Sequence, residues 1–274
     1  MTYLIADSGS TKTSWVLTDG TTRQEFETQG INPVRDSEET IETLLQTVNT
    51  PSQSIHFYGA GCIQPYADVV RRVLERRFPD AEVHVDSDLL GAAHALCGHA
   101  EGIACILGTG SNSCLYDGRQ MVQNVSPLGW ILGDEGSGAV LGRMLVGNIL
   151  KEQFSPALCQ AFAEETGLTR ADIINKVYRE PMPNRFLASL VPFLGRHREE
   201  AEVHSFLVEE FRRFLRRNVA HYRRPDLPVS FVGGIAWSYS QELREALEQE
   251  GMVAGTILKR PIDGMVDYLL TSKP

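Results

Sequence analysis

Tyr3-Leu4-Ile5-Ala6-Asp7-Ser8-Gly9-Ser10-Thr11-Lys12-Thr13-Ser14-Trp15-Val16-Leu17-Thr18-Asp19-Gly20 reads as one supersecondary unit. A short apolar strand at Tyr3–Ala6 runs into a Gly/Ser-rich turn at Asp7–Thr11. A second strand at Ser14–Thr18 is closed by Asp19-Gly20, a strong hairpin signal. About a hundred residues later the unit returns, with apolar Ile103–Leu107, the turn Gly108-Thr109-Gly110-Ser111, strand Asn112–Tyr116 and hairpin Asp117-Gly118. Solenoid periods fall in roughly the 20–50 residue range, so a repeat this long reads as a duplicated domain rather than a solenoid unit, chance similarity between two hairpins being the alternative.

The segments between and after the copies complete the plan. A third strand is expected near Arg23–Thr28, a helix after Asp36-Ser37, a strand at Ile55–Tyr58, a helix over Tyr66–Phe78 and a strand at Glu82–Val85. Another helix opens near Ser87-Asp88, where either side chain suits an N-cap. A three-strand meander followed by helix–strand alternation implies a mixed sheet with helices on its faces. From Glu135 to Tyr222 the signals are mostly helical, broken at Pro156, Gly167, Pro181/Pro183 and Gly195. Strand Val229–Val232, Gly233-Gly234, a helix over Gln241–Gln249, strand Val253–Leu258 and a short helix from Asp263 follow. The expected division is residues 1–106 and 107–262, the second carrying a helical insertion, with the terminal helix 263–274 a candidate to pack back on the first.

Composition narrows the function class. Two domains of ordinary size are the natural prior for 274 residues. The net charge of −9 argues against nucleic-acid and anionic-membrane partners. No apolar run approaches the ~20 residues that span a bilayer, and Asp7 interrupts the stretch a signal peptide would continue. Cys62, Cys97, Cys105, Cys114 and Cys159 are odd in number and lack a CxxC pair, which fits reduced thiols rather than a disulfide framework or structural zinc. A soluble, acidic, cytoplasmic protein is the expectation. The only basic concentration, Arg212-Arg213, Arg216-Arg217 and Arg223-Arg224, flanks apolar residues at helical spacing and reads as a solvated helix face.

The two glycine turns carry the chemistry. An acid at a strand end, followed at once by glycine and hydroxyls, suits a phosphate–magnesium site. Asp7 can hold Mg2+ directly or through water, and Ser10, Thr11 and Lys12 supply donors to phosphate oxygens. It is neither a Walker loop nor a Rossmann fingerprint, and a plain hairpin turn uses the same residue types. In Gly108-Thr109-Gly110 two glycines free backbone amides for close approach. Two such turns in duplicated halves would face each other across a cleft and clamp the β- and γ-phosphates of one nucleotide. Gly233-Gly234, at a bare strand end, lets a flat adenine–ribose lie against the backbone; a tight strand–helix connection would look the same.

These three elements, in this order, resemble the phosphate and adenosine motifs of the actin/hexokinase/Hsp70-like ATPases. The block Gly129-Trp130-Ile131-Leu132-Gly133-Asp134-Glu135-Gly136-Ser137-Gly138 is similar to the signature of the N-acetylglucosamine kinase and BadF/BadG/BcrA/BcrD-type ATPase family, as are Gly30-Ile31-Asn32-Pro33 and Asp88-Leu89-Leu90-Gly91-Ala92. The resemblance implies an α/β fold of two ribonuclease-H-like domains with an interdomain cleft, and ATP-dependent transfer of the γ-phosphate to the 6-hydroxyl of an amino sugar. N-acetylglucosamine is the leading candidate, with N-acetylmuramic acid and glucosamine as alternatives. It further implies ATP and Mg2+ as cofactors, Asp88 as the base, and Asn32, Asp88, Gly129, Trp130 and Asp134 as sugar contacts. Asp86 or Ser87 could cap the helix in place of Asp88, and Trp130 could be an ordinary core residue. The first loop departs from the family, with Ser8 and Ser10 where many relatives carry glycine. A rival of another class is an ATPase activator of a 2-hydroxyacyl-CoA dehydratase system, bridging an iron–sulfur cluster between two subunits through residues such as Cys97 and Cys105. Dimerisation is open at this point.

Overall fold

The computed structural model describes residues 1–9 and 11–271. The chain divides into two compact units. One comprises Met1–Ala104, Tyr116–Val122 and the chain from Arg260 onward, the other Cys105–Leu115 and Gln123–Lys259.

The first sheet is built from β1 (Tyr3–Ser8), β2 (Lys12–Thr18), β3 (Arg23–Gln29), β4 (Ser54–Gly59) and β5 (Glu82–Ser87), with α1 (Glu38–Leu45), α2 (Ala67–Arg77) and α3 (Asp88–Cys97) between and after them. Its order is β3-β2-β1-β4-β5. β1, β2 and β3 form the antiparallel meander, and β4 and β5 join it in parallel. Strand alternation sends Leu4, Ala6, Ile55, Phe57 and Val85 to one face, where they pack with Trp15 and helices α1 and α2. Trp15 is fully buried, donates its indole N–H to Thr28 Oγ1 at 2.9 Å and stacks on Phe26. Burying each such large side chain contributes about 1.5–3 kcal/mol. Ile5, Val16 and Tyr58 face the other way.

The second half repeats this layout with β6 (Glu101–Leu107), β7 (Ser111–Asp117) and β8 (Met121–Asn124), then a helical stretch, then β9 (Val229–Val232) and β10 (Ala254–Leu258). The order β10-β9-β6-β7-β8, read backwards, is that of the first sheet, and β9 and β10 are again parallel. The topology bears out the duplication. β8, the counterpart of β3, was absent from the sequence reading: Met121–Asn124 is a four-residue edge strand exposed throughout, with no apolar alternation to find.

The helical stretch consists of α4 (Gly129–Leu132), α5 (Gly138–Leu150), α6 (Pro156–Thr166), α7 (Arg170–Tyr178), α8 (Pro183–Ser189), α9 (Pro192–Arg196) and α10 (Ala201–Arg217). α11 (Gly234–Ser238) and α12 (Ser240–Gln249) separate β9 from β10, and α13 (Ile262–Thr271) ends the described chain. α13 presses Ile262, Met265 and Val266 onto Ile5 and Val16 of the first sheet. On α10, Leu207, Phe211, Phe214 and Leu215 are buried, while Arg212 and Arg216 bond Glu209 and Glu250. Arg212 and Arg216 therefore belong to an ion-paired outer face. No helix among the described residues is long and apolar enough to cross a membrane.

Candidate active site

Asp7 leaves the C-terminal end of β1, in register with Tyr58 of β4, which pairs in turn with Asp86 of β5. Burial, and then the charge of Asp88, push the Asp7 carboxyl up to about 7, against the opposing pull of Lys12 and Arg260. Ser8 points into the core, where its hydroxyl meets Thr13 Oγ1 at 2.7 Å and the Ile31 N–H at 3.0 Å. That contact shows how a serine is accommodated at this position, and it ties the turn to the Gly30-Ile31-Asn32 segment. Gly30 is required there, since a Cβ would lie 2.2 Å from the Gly9 carbonyl oxygen. Thr11 accepts from the Gly30 N–H at 3.0 Å. Lys12, exposed on β2, is paired with Glu27. Ser10 lies outside the described residues.

Asn32 is half-buried beside this turn. Its Oδ1 accepts from the Val34 N–H at 3.0 Å and abuts Gly61, where a Cβ would come within 2.5 Å. Its Nδ2 has no hydrogen-bond partner among the described residues. At the start of α3, Ser87 is the N-cap and accepts from the Leu90 N–H at 3.2 Å. Asp88 is thereby released from capping, and its Oδ1 accepts from the Leu89 N–H at 2.9 Å. Burial raises its carboxyl above the usual range, tempered by backbone N–H donors.

The second unit gathers four motifs at one end of its sheet. Gly108 N–H donates to the Gly110 carbonyl, closing the β6–β7 turn. The carbonyls of Gly108 and Thr109 accept from Gly138 at 2.8 Å and Ala139 at 3.0 Å, so the first turn of α5 is spent on the loop. The N–H groups of Thr109 and Gly110 have no acceptor among the described residues. Gly233, at φ +123, lies on the same strand end, where a Cβ would come within 2.3 Å of the Leu107 carbonyl oxygen; beside Gly234 there is open space.

Asp134 leans on this turn. It sits in the left-handed region at φ +52, held by its N–H to the Pro127 carbonyl at 2.9 Å and by its carbonyl accepting from Ser137 at 3.0 Å. Its carboxylate reaches the Ser111 N–H and faces Gly110. Burial raises it to about 6, opposed by that N–H. The neighbouring Glu135 turns inward to Arg217 and Asn218, two anchors the sequence reading missed. They lie more than 80 residues away, on the far end of α10, and no local spacing links them to the motif. Gly129, at φ +74, meets nothing in its Cβ direction, and Trp130 is half-buried with its carbonyl held by Arg143. Trp130 is no core residue. Gly138 and Gly142 serve packing, with Leu187 of α8 against the second.

A candidate N-acetylglucosamine kinase from Porphyromonas gingivalis matches this structure at 47% identity over 97% of this chain and 98% of that chain, with a TM-score of 0.93. The chain belongs to the N-acetylglucosamine kinase and BadF/BadG/BcrA/BcrD-type ATPase family. A candidate N-acetylglucosamine kinase from Chromobacterium violaceum, at 22% identity over 98% of both chains and a TM-score of 0.74, shares the fold. So does an ethanolamine utilization protein from Carboxydothermus hydrogenoformans, at 15% identity over 97% of this chain and 87% of that one, with a TM-score of 0.50. No protein-family model and no curated protein matches the chain. The two ribonuclease-H-like sheets are the actin-like ATPase architecture. The iron–sulfur reading is not favoured by the 47%-identical relative, a candidate sugar kinase; Cys105 is buried in β6 and Cys97 is half-buried near the end of α3.

Proposed function

We propose that the protein is an ATP-dependent sugar kinase that phosphorylates the 6-hydroxyl of an amino sugar, N-acetylglucosamine first among the candidates. The observation that carries this reading is Asp88. It is a carboxylate at the first position of a helix whose capping is done by Ser87, so it is left to act on something other than its own backbone. Descent from the same family as the Porphyromonas gingivalis protein supports the amino sugar.

The residues suit the cofactors. Asp7 is a hard oxygen donor whose ionisation is opposed by burial, and a cation beside it would remove that penalty. Among the described residues no group of three or more His, Cys, Asp or Glu is poised around a metal, which suits Mg2+ held by one carboxylate, waters and phosphate oxygens. Thr109 and Gly110 offer unpartnered N–H groups to phosphate oxygens, with Thr11, Lys12 and, by sequence, Ser10 as further donors. Gly233 and Gly234 leave bare backbone for the adenosine. Bound Mg-ATP supplies the phosphoryl group and the countercharge that phosphoryl transfer requires.

The chain's own part is positioning and one proton. Asp88 would take the proton of the 6-hydroxyl as that oxygen attacks. A carboxyl raised by burial accepts it more readily than an exposed aspartate. Asn32 Nδ2 and the Asp134 carboxylate would bind ring hydroxyls, with Gly129 and Trp130 beside the sugar. An ADP-coupled assay with Mg-ATP across glucose, glucosamine, N-acetylglucosamine and N-acetylmuramic acid tests the proposal. The highest kcat/KM should fall on an N-acetylated sugar, and ADP release indifferent to every sugar would overturn it.

A further inference from the structure

The helical part of the second unit holds a cavity of about 680 Å3 among α4, α5, α7 and α8, a volume in the range of small-molecule sites. Val146 and Leu150 of α5, Ile173, Ile174 and Val177 of α7 and Leu187 of α8 form its apolar wall, and Ile131 of α4 stands at its edge, 66% exposed. Trp130, proposed above as a sugar contact, also lines the cavity; none of its other lining residues was assigned to the phosphate or sugar site. The charges on the lining are Arg143, Lys151 and Arg170, three cations without a carboxylate. In a chain with 35 acidic and 26 basic residues, that is a local reversal of sign. Lys151 and Arg170 make no ion pair among the described residues. Arg143 is engaged, donating to the carbonyls of Trp130 at 2.7 Å and Ile131 at 3.1 Å.

We infer that this cavity is a binding site for a small amphipathic anion, with an apolar body on the α5–α7 wall and one carboxylate, sulfonate or phosphate head met by Lys151 and Arg170. A neutral apolar occupant would cover two cations without giving either a counterion, whereas an anionic head supplies one. The apolar wall sets affinity through the area it removes from water, and the cations choose the sign of the ligand.

The test titrates the full chain with 8-anilinonaphthalene-1-sulfonate, an aromatic body with one sulfonate, and reads probe fluorescence together with energy transfer from tryptophan. One saturable site is expected, with transfer dimmed in Trp130→Phe because Trp130 lines the cavity. The double variant Lys151→Gln/Arg170→Gln changes exposed side chains only, so its melting curve by circular dichroism should match the native protein. Its affinity for the probe should fall about tenfold, the upper reach of two exposed ion contacts, while affinity for neutral N-phenyl-1-naphthylamine stays the same. Ile174→Asp, on the half-exposed rim, should weaken both probes. Undiminished sulfonate binding in the double variant overturns the proposal. So does sedimentation showing that a second copy of the chain covers the cavity and excludes the probe.

Discussion

At Asp88 two tasks that one aspartate often combines are divided between neighbours. Ser87 caps α3, and Asp88 is not used as the cap. Asp88→Asn preserves shape and the Leu89 contact while removing the proton acceptor. Its kcat should fall by about 10²–10⁴, the usual reach of general-base catalysis, with nucleotide affinity by calorimetry unchanged. Turnover at the native rate would dismiss Asp88 as the base. Asp134 should behave differently, since the role proposed for it is to hold hydroxyls. Asp134→Asn is expected to raise KM for the sugar about 10–100-fold, the worth of one or two charge-assisted hydrogen bonds, with a smaller effect on kcat. A kcat-only defect would move Asp134 out of the binding role. Both residues could be singled out as candidates in the sequence because each lies inside a contiguous motif. Arg260, whose charge acts on Asp7, was not legible, since it is some 250 residues away in sequence and only folding brings it near.

At the scale of elements, what could be read was what repeats. The strand–turn–strand units and their Asp-Gly hairpins predicted β1, β2, β6 and β7 to within two residues at either end, because alternation and turn chemistry are local. The reason for particular glycines was hidden. Gly30, Gly133 and Gly142 are needed because carbonyl oxygens of Gly9, Pro127 and Leu187 would sit 2.0–2.2 Å from a Cβ, and those neighbours come from other elements. The segment from α4 to α5 shows the same dependence. Glu135 is nearly buried and draws its countercharge from Arg217 at the end of α10, with Asn218 Nδ2 donating at 3.3 Å. Arg217→Met strands that carboxylate and should cost about 2–4 kcal/mol in urea unfolding at neutral pH. Glu135→Gln, which removes the buried charge itself, should cost markedly less. Equal losses would mean that the pair does not anchor the loop that carries Asp134.

At the scale of the molecule, duplication explains why one chain carries two glycine turns in matching places, and the titratable groups each copy has buried set how the whole fold answers to pH. Asp7 has a folded value of about 7 against 3.8. Between about pH 5 and 6 the folded state therefore holds a proton that the unfolded state has released, and stability falls with rising pH by about 1.4 kcal/mol per unit. Asp134, raised to about 6, adds in the same direction over the lower part of that range. His56 runs the other way. Burial, followed by the charges of His84 and His94, depresses it from 6.5 to about 4, so the unfolded state holds the extra proton and stability rises with pH. His94, stacked on Tyr268 and pushed down to about 4 chiefly by burial, joins it. The native slope is thus a difference between opposed groups, and removing one member exposes the other. In urea unfolding across about pH 5 to 6, Asp7→Asn should make the slope more positive by about 1.4 kcal/mol per unit, and His56→Gln more negative by about as much. Parallel slopes in the three proteins would show that neither group is held at its shifted value. Millimolar Mg2+ supplies the decisive control: a cation bound at Asp7 substitutes for the proton, so it should raise the melting temperature of the native protein near pH 7 and leave that of Asp7→Asn in place.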